Sequence, residues 1–523
     1  MAKAQPITTS RNIREHLKFP GITNLTSLYL QKNAITYVPE NAFNGLSALS
    51  KLDLSNNNIN ALATTSFKGL YQLVELDLST NQLQTIPSTV FQDLVKLGGL
   101  NLYKNNLISL PKGLFNNCKK LKELQLDKNN LQTIPLDLFR PLSMLEFLQL
   151  DNNRISELNL PSFATMKKLK HLDLSYNALK KISKGIFNRA PQRCTAIREL
   201  HLKGNKIELI ENDAFETCIN LKRLCLSNNL LKSLEEGTFR GAPYLTHLDL
   251  SKNKLTTVPT SALRDTPKVT VLSLQKNAIT LLSENAFFGL SALEKLDLSN
   301  NALLSINNES LVTLFNLKEL DLSFNKLHHL PEKAFQDLGN LKILTLHHND
   351  LASLPMGKSQ HLKDLHVTNN QIYNVSKFAF KGLVRLKSLR LNNNHISVLD
   401  PKTLTNLEGL RELWLNHNRM KTFPDGLFSG LKNLRMLDLA DNYFSSLATA
   451  DFTDLSTLRE LHLSFNELVE LPQNVFISLS NLQKLFLQNN HLSNVPPEVF
   501  SSLSSLQELD LENNKLVRLT RLP

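Results

Sequence analysis

One string recurs twenty-one times in this 523-residue chain: Leu-x-x-Leu-x-Leu-x-x-Asn, with an occasional Ile or Val in place of Leu. The first copy runs from Leu25 to Asn33 and the last from Leu506 to Asn514. The step is 24 residues except twice: Leu169 to Ile197 is 28, and Leu341 to Leu362 is 21. Every copy keeps the Asn. A fixed period of this size means stacked structural units, each resting on its neighbours. Length alone would suggest three or four domains. The unbroken repeat overrides that prior and predicts a single domain over residues 25–523, its last repeat truncated, after an N-terminal segment of residues 1–24.

The Leu-x-Leu centre alternates with period two, so it reads as a short strand with one buried face. Copies stacked at about 4.8 Å build a parallel sheet on the order of 100 Å long. The expected class is therefore α/β: a curved solenoid of about 21 turns, with a parallel concave sheet and short helical or 3₁₀ turns on the convex side. The Asn stands where the chain leaves the strand and turns inward. Backbone groups buried there need partners, and a side-chain amide supplies donors and an acceptor to neighbouring turns. Ten residues after each Asn comes a large apolar residue, mostly Phe, from Phe43 to Phe500; sixteen of the 26 Phe belong to this column, which assigns most of the aromatic content to packing. Pro often precedes that Phe by four residues, as at Pro39, Pro87, Pro111 and Pro331, and ends the turn.

Lys and Arg number 59 against 47 Asp and Glu, a net charge of +12 that favours polyanionic partners. No nucleic-acid module is visible, so nucleic acid is not expected. No run of 18 apolar residues is present, hence no expected membrane span. Residues 1–10 lack the apolar stretch of a signal peptide. The four cysteines, Cys118, Cys194, Cys218 and Cys225, have no zinc-type pairing. Cys194 and Cys218 each stand three residues before a strand-initial aliphatic residue, in one column of adjacent turns, and are a candidate disulfide, with buried thiols the alternative.

Catalysis is not expected. Asp recurs between the second and third Leu, at Asp53, Asp77, Asp173, Asp249, Asp297, Asp321, Asp438 and Asp510, but as a repeat consensus on an open sheet. No phosphate loop or nucleophile elbow accompanies it, and no cofactor is implied. A sharper signal follows the first Leu of each copy. Over seven consecutive repeats that residue is basic: Lys318, Lys342, Lys363, Lys387, Arg411, Arg435 and Arg459. Stacked at strand spacing they form a cationic stripe on the order of 30 Å long, suited to a sulfated polysaccharide. The competing reading is a solvated edge paired locally with Glu319, Asp364, Glu412 and Glu460. Beside it, His366, Arg390, Trp414, His462 and Phe486 occupy exposed strand positions, the residue types of protein-binding hot spots. His347, His348 and His366 lack a carboxylate or Cys ligand at matching spacing, so no metal site is assigned.

The full unit, for example Leu317 to Leu338, resembles the typical extracellular leucine-rich repeat, as in chondroadherin, chondroadherin-like proteins, podocan and the small leucine-rich proteoglycans. The short copy from Leu354 to Asn370 resembles the 21-residue variant of matrix proteoglycans. The resemblance implies a secreted, extracellular, non-catalytic matrix or adhesion protein that binds collagen, glycosaminoglycan or a cell-surface receptor through its concave face. Its alternative is a rigid carrier or assembly subunit of a plasma growth-factor or hydrolase complex, or a receptor ectodomain. Residues 19–25 look like the tail of an N-terminal cap, but without the cysteines such caps carry. Asn24, Asn308 and Asn374 lie in glycosylation sequons.

Overall fold

The computed structural model describes residues 22–158, 163, 165–189, 192–193, 195–354 and 359–517. Its contacts divide into two compact units, Met1–Lys254 with Pro259–Val269, and Leu255–Val258 with Thr270–Pro523. Each is a parallel-sheet solenoid. Among the described residues the first unit carries ten strands of three residues, from Ser27–Tyr29 to His247–Asp249. The second carries eleven, from Val271–Ser273 to Glu508–Asp510. Pairing within each unit is parallel and in register with the sequence repeat: Ser27 faces Lys51, and Asp297 faces Asp321. The middle residue of each strand is an apolar side chain turned into the core, as at Leu52, Leu272 and Leu413. Its two neighbours face out, which leaves them free of packing constraint.

The Asn column forms the ladder that the turn requires. Asn57 accepts the Ile35 N–H of the preceding turn through Oδ1 at 3.1 Å. Its Nδ2 donates to the Leu30 carbonyl of that turn at 2.9 Å and to Leu54 of its own at 3.0 Å. The same three bonds recur at Asn325, with Leu303, Leu298 and Leu322. Both irregular intervals keep the ladder. Asn205 accepts from Leu179 across 26 residues and Asn370 from Leu351 across 19, where 22 is usual. The change in length is therefore absorbed outside the strand and its Asn turn. The longer interval includes a short antiparallel pair, Asn188–Arg189 with Gln192–Arg193.

The Phe column is buried except at Phe500, which is half-buried, and successive rings stack: Phe43 on Phe67 and Phe215 on Phe239 have centroids 6.0 and 6.4 Å apart. The segments around these rings are short turns, as expected, with almost no continuous helix. Among the described residues only Thr260–Leu263 is α-helical and Pro497–Phe500 is 3₁₀. Elsewhere the chain makes tight turns, some beginning at a Pro, with the Val90 N–H donating to Pro87 and Ala334 to Pro331, and others without one, with Ala286 donating to Ser283. A 24-residue period leaves room for a few i→i−3 turns per repeat, as from Pro87 to Leu97, but not for a long run of consecutive helical bonds. Short parallel pairs, such as Tyr37–Val38 with Ala61–Leu62, link neighbouring units on the way.

Replacing Asn325 by Ala is expected to orphan the Leu303 N–H and the Leu298 and Leu322 carbonyls in a buried turn. At about 1–3 kcal/mol for each buried group left unpaired, the second unit should melt well below the parent. An unchanged melting curve by circular dichroism would show that water replaces the amide without cost.

Candidate functional site

Backbone register makes the seven basic residues a true column. Each lies one residue before a strand, and the N–H of one donates to the carbonyl of the last: Lys342 to Lys318, Lys363 to Lys342, Lys387 to Lys363, and so on through Arg411 and Arg435 to Arg459, at 2.7–2.8 Å. Lys318 and Lys363 are half-buried and the other five exposed. Only Lys318 carries an ion pair among the described residues, to Glu294 at 2.6 Å. Three of the four carboxylates expected to neutralise the column are engaged elsewhere. Glu319 pairs with Lys295 at 2.7 Å, Glu460 with His462 at 2.9 Å, and Glu412 accepts from the Ser388 hydroxyl at 3.2 Å. Arg411, Arg435 and Arg459 line a shallow recess of about 320 Å³ together with Lys484, Glu412 and Glu460.

The patch beside this column lies at the last residue of successive strands. His366 faces Arg390, Arg390 faces Trp414, Trp414 faces Asp438, Asp438 faces His462, and His462 faces Phe486. The five expected residues therefore gather in two groups separated by Asp438. In the first, the Arg390 guanidinium lies over the Trp414 ring, 5.5 Å from its centroid, a cation–π contact. The Arg390 Nε and the Trp414 indole Nε1 are buried and have no acceptor in the structure. His366, His347 and His348 complete a recess of about 340 Å³ beside them. In the second group, His462 stacks on Phe486 at 4.5 Å. Burial, and then the neighbouring Arg390 charge, lower the His366 pKa from its ordinary range, so that imidazole favours the neutral form. Burial raises the pKa of the Asp438 carboxyl.

The eight recurrent aspartates are turn caps. The Asp53, Asp77, Asp173, Asp249, Asp297 and Asp321 carboxylates each accept the backbone N–H of the Ser two residues on, at 2.8–3.0 Å, and Asp438 and Asp510 bond Ala440 and Glu512 likewise. This is a local Asx turn at the strand exit. Cys118 is buried, and burial pushes its thiol up to about 12. Cys225 is a half-buried free thiol in contact with Ser227 and Asp249. Cys218 is buried, while Cys194, its expected partner, lies outside the described residues. Asn24, Asn308 and Asn374 are all exposed.

Two features escaped the sequence reading. One is a group of three side chains on the first unit, His171, Glu199 and His201, with one donor atom of each within 4.8 Å of the others. The other is Asp127. Its Oδ1 is buried without a partner, and burial, followed by the charge of Asp151, pushes its carboxyl up to about 6.

The repeat itself decides the family. The leucine rich repeat family matches at residues 16–59, 47–107, 96–155, 148–192, 195–255, 243–303, 292–351, 360–420, 408–468 and 456–516. The chain belongs to the leucine-rich-repeat family. No curated protein matches it. Solved leucine-rich-repeat structures do. YopM from Yersinia enterocolitica is 24% identical and aligns over 93% of this chain and 91% of its own, with a TM-score of 0.63. A leucine-rich-repeat protein of Leptospira interrogans is 26% identical over 84% of this chain and 90% of its own, at 0.51. A chain of the Toll–Spatzle complex from Drosophila is 21% identical over 91% and 76%, at 0.62. These similarities concern the shared architecture.

Asp127 supports a prediction with a definite sign. A carboxyl raised from its ordinary value of about 3.9 makes the folded state bind the extra proton, so its destabilising effect is full above pH 6 and fades as pH falls toward 4. Asp127→Asn should therefore melt higher than the parent at pH 7.5, with the difference vanishing near pH 4. Equal melting temperatures at both values would show that the carboxylate is solvated.

Proposed function

We propose that this leucine-rich-repeat protein is a non-catalytic recognition protein of the extracellular matrix or cell surface, of the chondroadherin and proteoglycan kind. Its basic column holds a sulfated glycosaminoglycan, and the adjoining aromatic patch anchors a protein such as collagen or a receptor. The observation that carries the reading is the run of six consecutive cations, Lys342 to Arg459, without an ion pair among the described residues, while Glu319, Glu412 and Glu460 bond elsewhere. Cations left unpaired at strand spacing match a repeating polyanion and add a long-range attraction to it. The protein-binding half of the reading is supported by Arg390 and Trp414, stacked on one another with two buried donors lacking acceptors. A buried donor without a partner is costly, and a ligand oxygen would relieve it. The non-catalytic reading rests on the aspartates, which are committed to their own turns. The extracellular reading is supported by the exposed sequon residues Asn24, Asn308 and Asn374. No helix among the described residues is long and apolar enough to cross a membrane.

Heparin chromatography tests the first half. The parent should be retained and should elute with rising salt, because exposed charges are screened over about 8 Å at physiological ionic strength. Lys387→Glu, Arg411→Glu and Arg435→Glu combined should abolish retention without changing the melting temperature, since all three side chains are exposed. Retention that survives the triple reversal would reduce the column to a solvated consensus edge.

Trp414→Ala tests the second half. It should leave heparin elution unchanged and weaken binding to immobilised collagen by about 2 kcal/mol, roughly thirtyfold. Collagen binding that is unaffected by the substitution would remove Trp414 as the anchor.

A further inference from the structure

We propose that His171, Glu199 and His201 form a binding site for a divalent transition metal ion of the zinc type, on the strand face of the first unit. The fold brings the three together by register. His171 and Glu199 open neighbouring strands and face each other across the ladder. His201 lies two residues beyond Glu199 and so points from the same face. The Glu199 Oε2 is 3.2 Å from His171 Nδ1 and 3.8 Å from His201 Nε2. In a tetrahedral zinc site with bonds of about 2.0–2.1 Å, ligand atoms stand about 3.3 Å apart. The two observed separations bracket that value, so closure needs side-chain adjustment and no movement of the sheet.

The chemistry of the three donors points the same way. Two imidazoles and a carboxylate form a set that zinc takes with a fourth position open. Nitrogen donors select zinc, nickel or copper over magnesium and calcium, which prefer oxygen alone. The side chains are 21%, 42% and 30% exposed for His171, Glu199 and His201, so an ion can reach them from solvent. The rings are also held. His171 packs between Phe147, 6.1 Å away, and His201, 5.1 Å away. Arg223 approaches the other carboxylate oxygen, Oε1, at 3.8 Å. It steadies Glu199 with Oε2 turned to the imidazoles, and its charge moderates the affinity. A cation open to a fourth ligand on this face would accept a carboxylate or imidazole from a bound partner.

Isothermal titration of the full chain with zinc chloride at pH 7.5 tests this. One zinc per chain is expected, weakened at least tenfold by His171→Ala, by His201→Ala and by Glu199→Gln, the last of which preserves side-chain shape. Cobalt should give the visible bands of a four-coordinate ion in the parent and lose them in each variant. The double change His347→Ala with His348→Ala should leave both readouts unaltered. Circular dichroism melting without metal should be the same for all variants. The proposal is overturned if the parent shows no saturable binding, or if binding survives in the His171→Ala, His201→Ala double variant. Loss of binding on changing His347 and His348 would overturn it equally, by placing the ion on the second unit.

Discussion

The Asn amide is the interaction on which the rest of the molecule depends. Its Oδ1 and Nδ2 tie each turn to the one before, as Asn57 does with Ile35 and Leu30, so that consecutive turns cannot slide against each other. Register follows from this tie, and register is what converts a one-dimensional repeat into columns of side chains. The 26-residue and 19-residue spans at Asn205 and Asn370 make the hierarchy plain. Turn length varies while the bond persists, so the loops adapt to the ladder. A hydrogen bond in this position is worth more than its modest net average, because its loss leaves buried groups of two turns without partners.

The ladder also holds a strained conformation in place. In every turn the residue immediately before the Asn has a positive φ, between 51° and 69°, and only one of the twenty-one, Gly204, is a glycine. Thr80, Tyr176, Phe324 and Phe465 take this left-handed form, which costs an L-residue roughly 1–2 kcal/mol. A β-branched or bulky residue does not choose it locally. The three amide bonds of the following Asn offset the strain, so the position is free to carry side chains selected for something other than backbone preference. Phe324 shows the outcome, with its ring stacked on His348 at 4.2 Å and edge-on to His347 at 5.0 Å.

What was legible in the sequence is what repeats. The Leu and Phe columns, the Asn ladder and the solenoid class follow from period and polarity, because burial imposes the same residue type at the same offset in each unit. The membership of the basic column was legible for the same reason. Its electrostatic state was not. Whether Lys387 or Arg411 is neutralised depends on where Glu412 and Glu460 turn, and rotamer choice leaves no trace in a repeat. The short turns around the Phe residues were legible too, because the segment is too brief for a long helix; which of them close into a regular helix was not. The His171, Glu199, His201 group was hidden by the one 28-residue interval, which displaces His171 from the 24-residue offset that links other facing positions. Asp127 stayed invisible because its position varies from copy to copy, and only the depth of the turn distinguishes a tolerated carboxylate from a costly one.

Local pairing distinguishes the basic column from other cations of the chain. On the first unit, Lys51 bonds Glu75, Lys170 bonds Glu146 and Arg223 approaches Glu199, so these cations are neutralised within a few ångströms. On the second, the column from Lys342 to Arg459 has no such partners among the described residues. Neighbouring cations one strand apart lie within a single screening length of each other. In water each adjacent pair then repels by at most about 1 kcal/mol, a cost the exposed side chains reduce by splaying. The amide ladder makes this arrangement tolerable, since backbone register does not yield to side-chain repulsion. Under the proposed function, a polyanion lying along the column would release this repulsion, and the fold's rigidity would then act directly on affinity. A flexible basic segment of equal charge would relax before binding and would gain less from it.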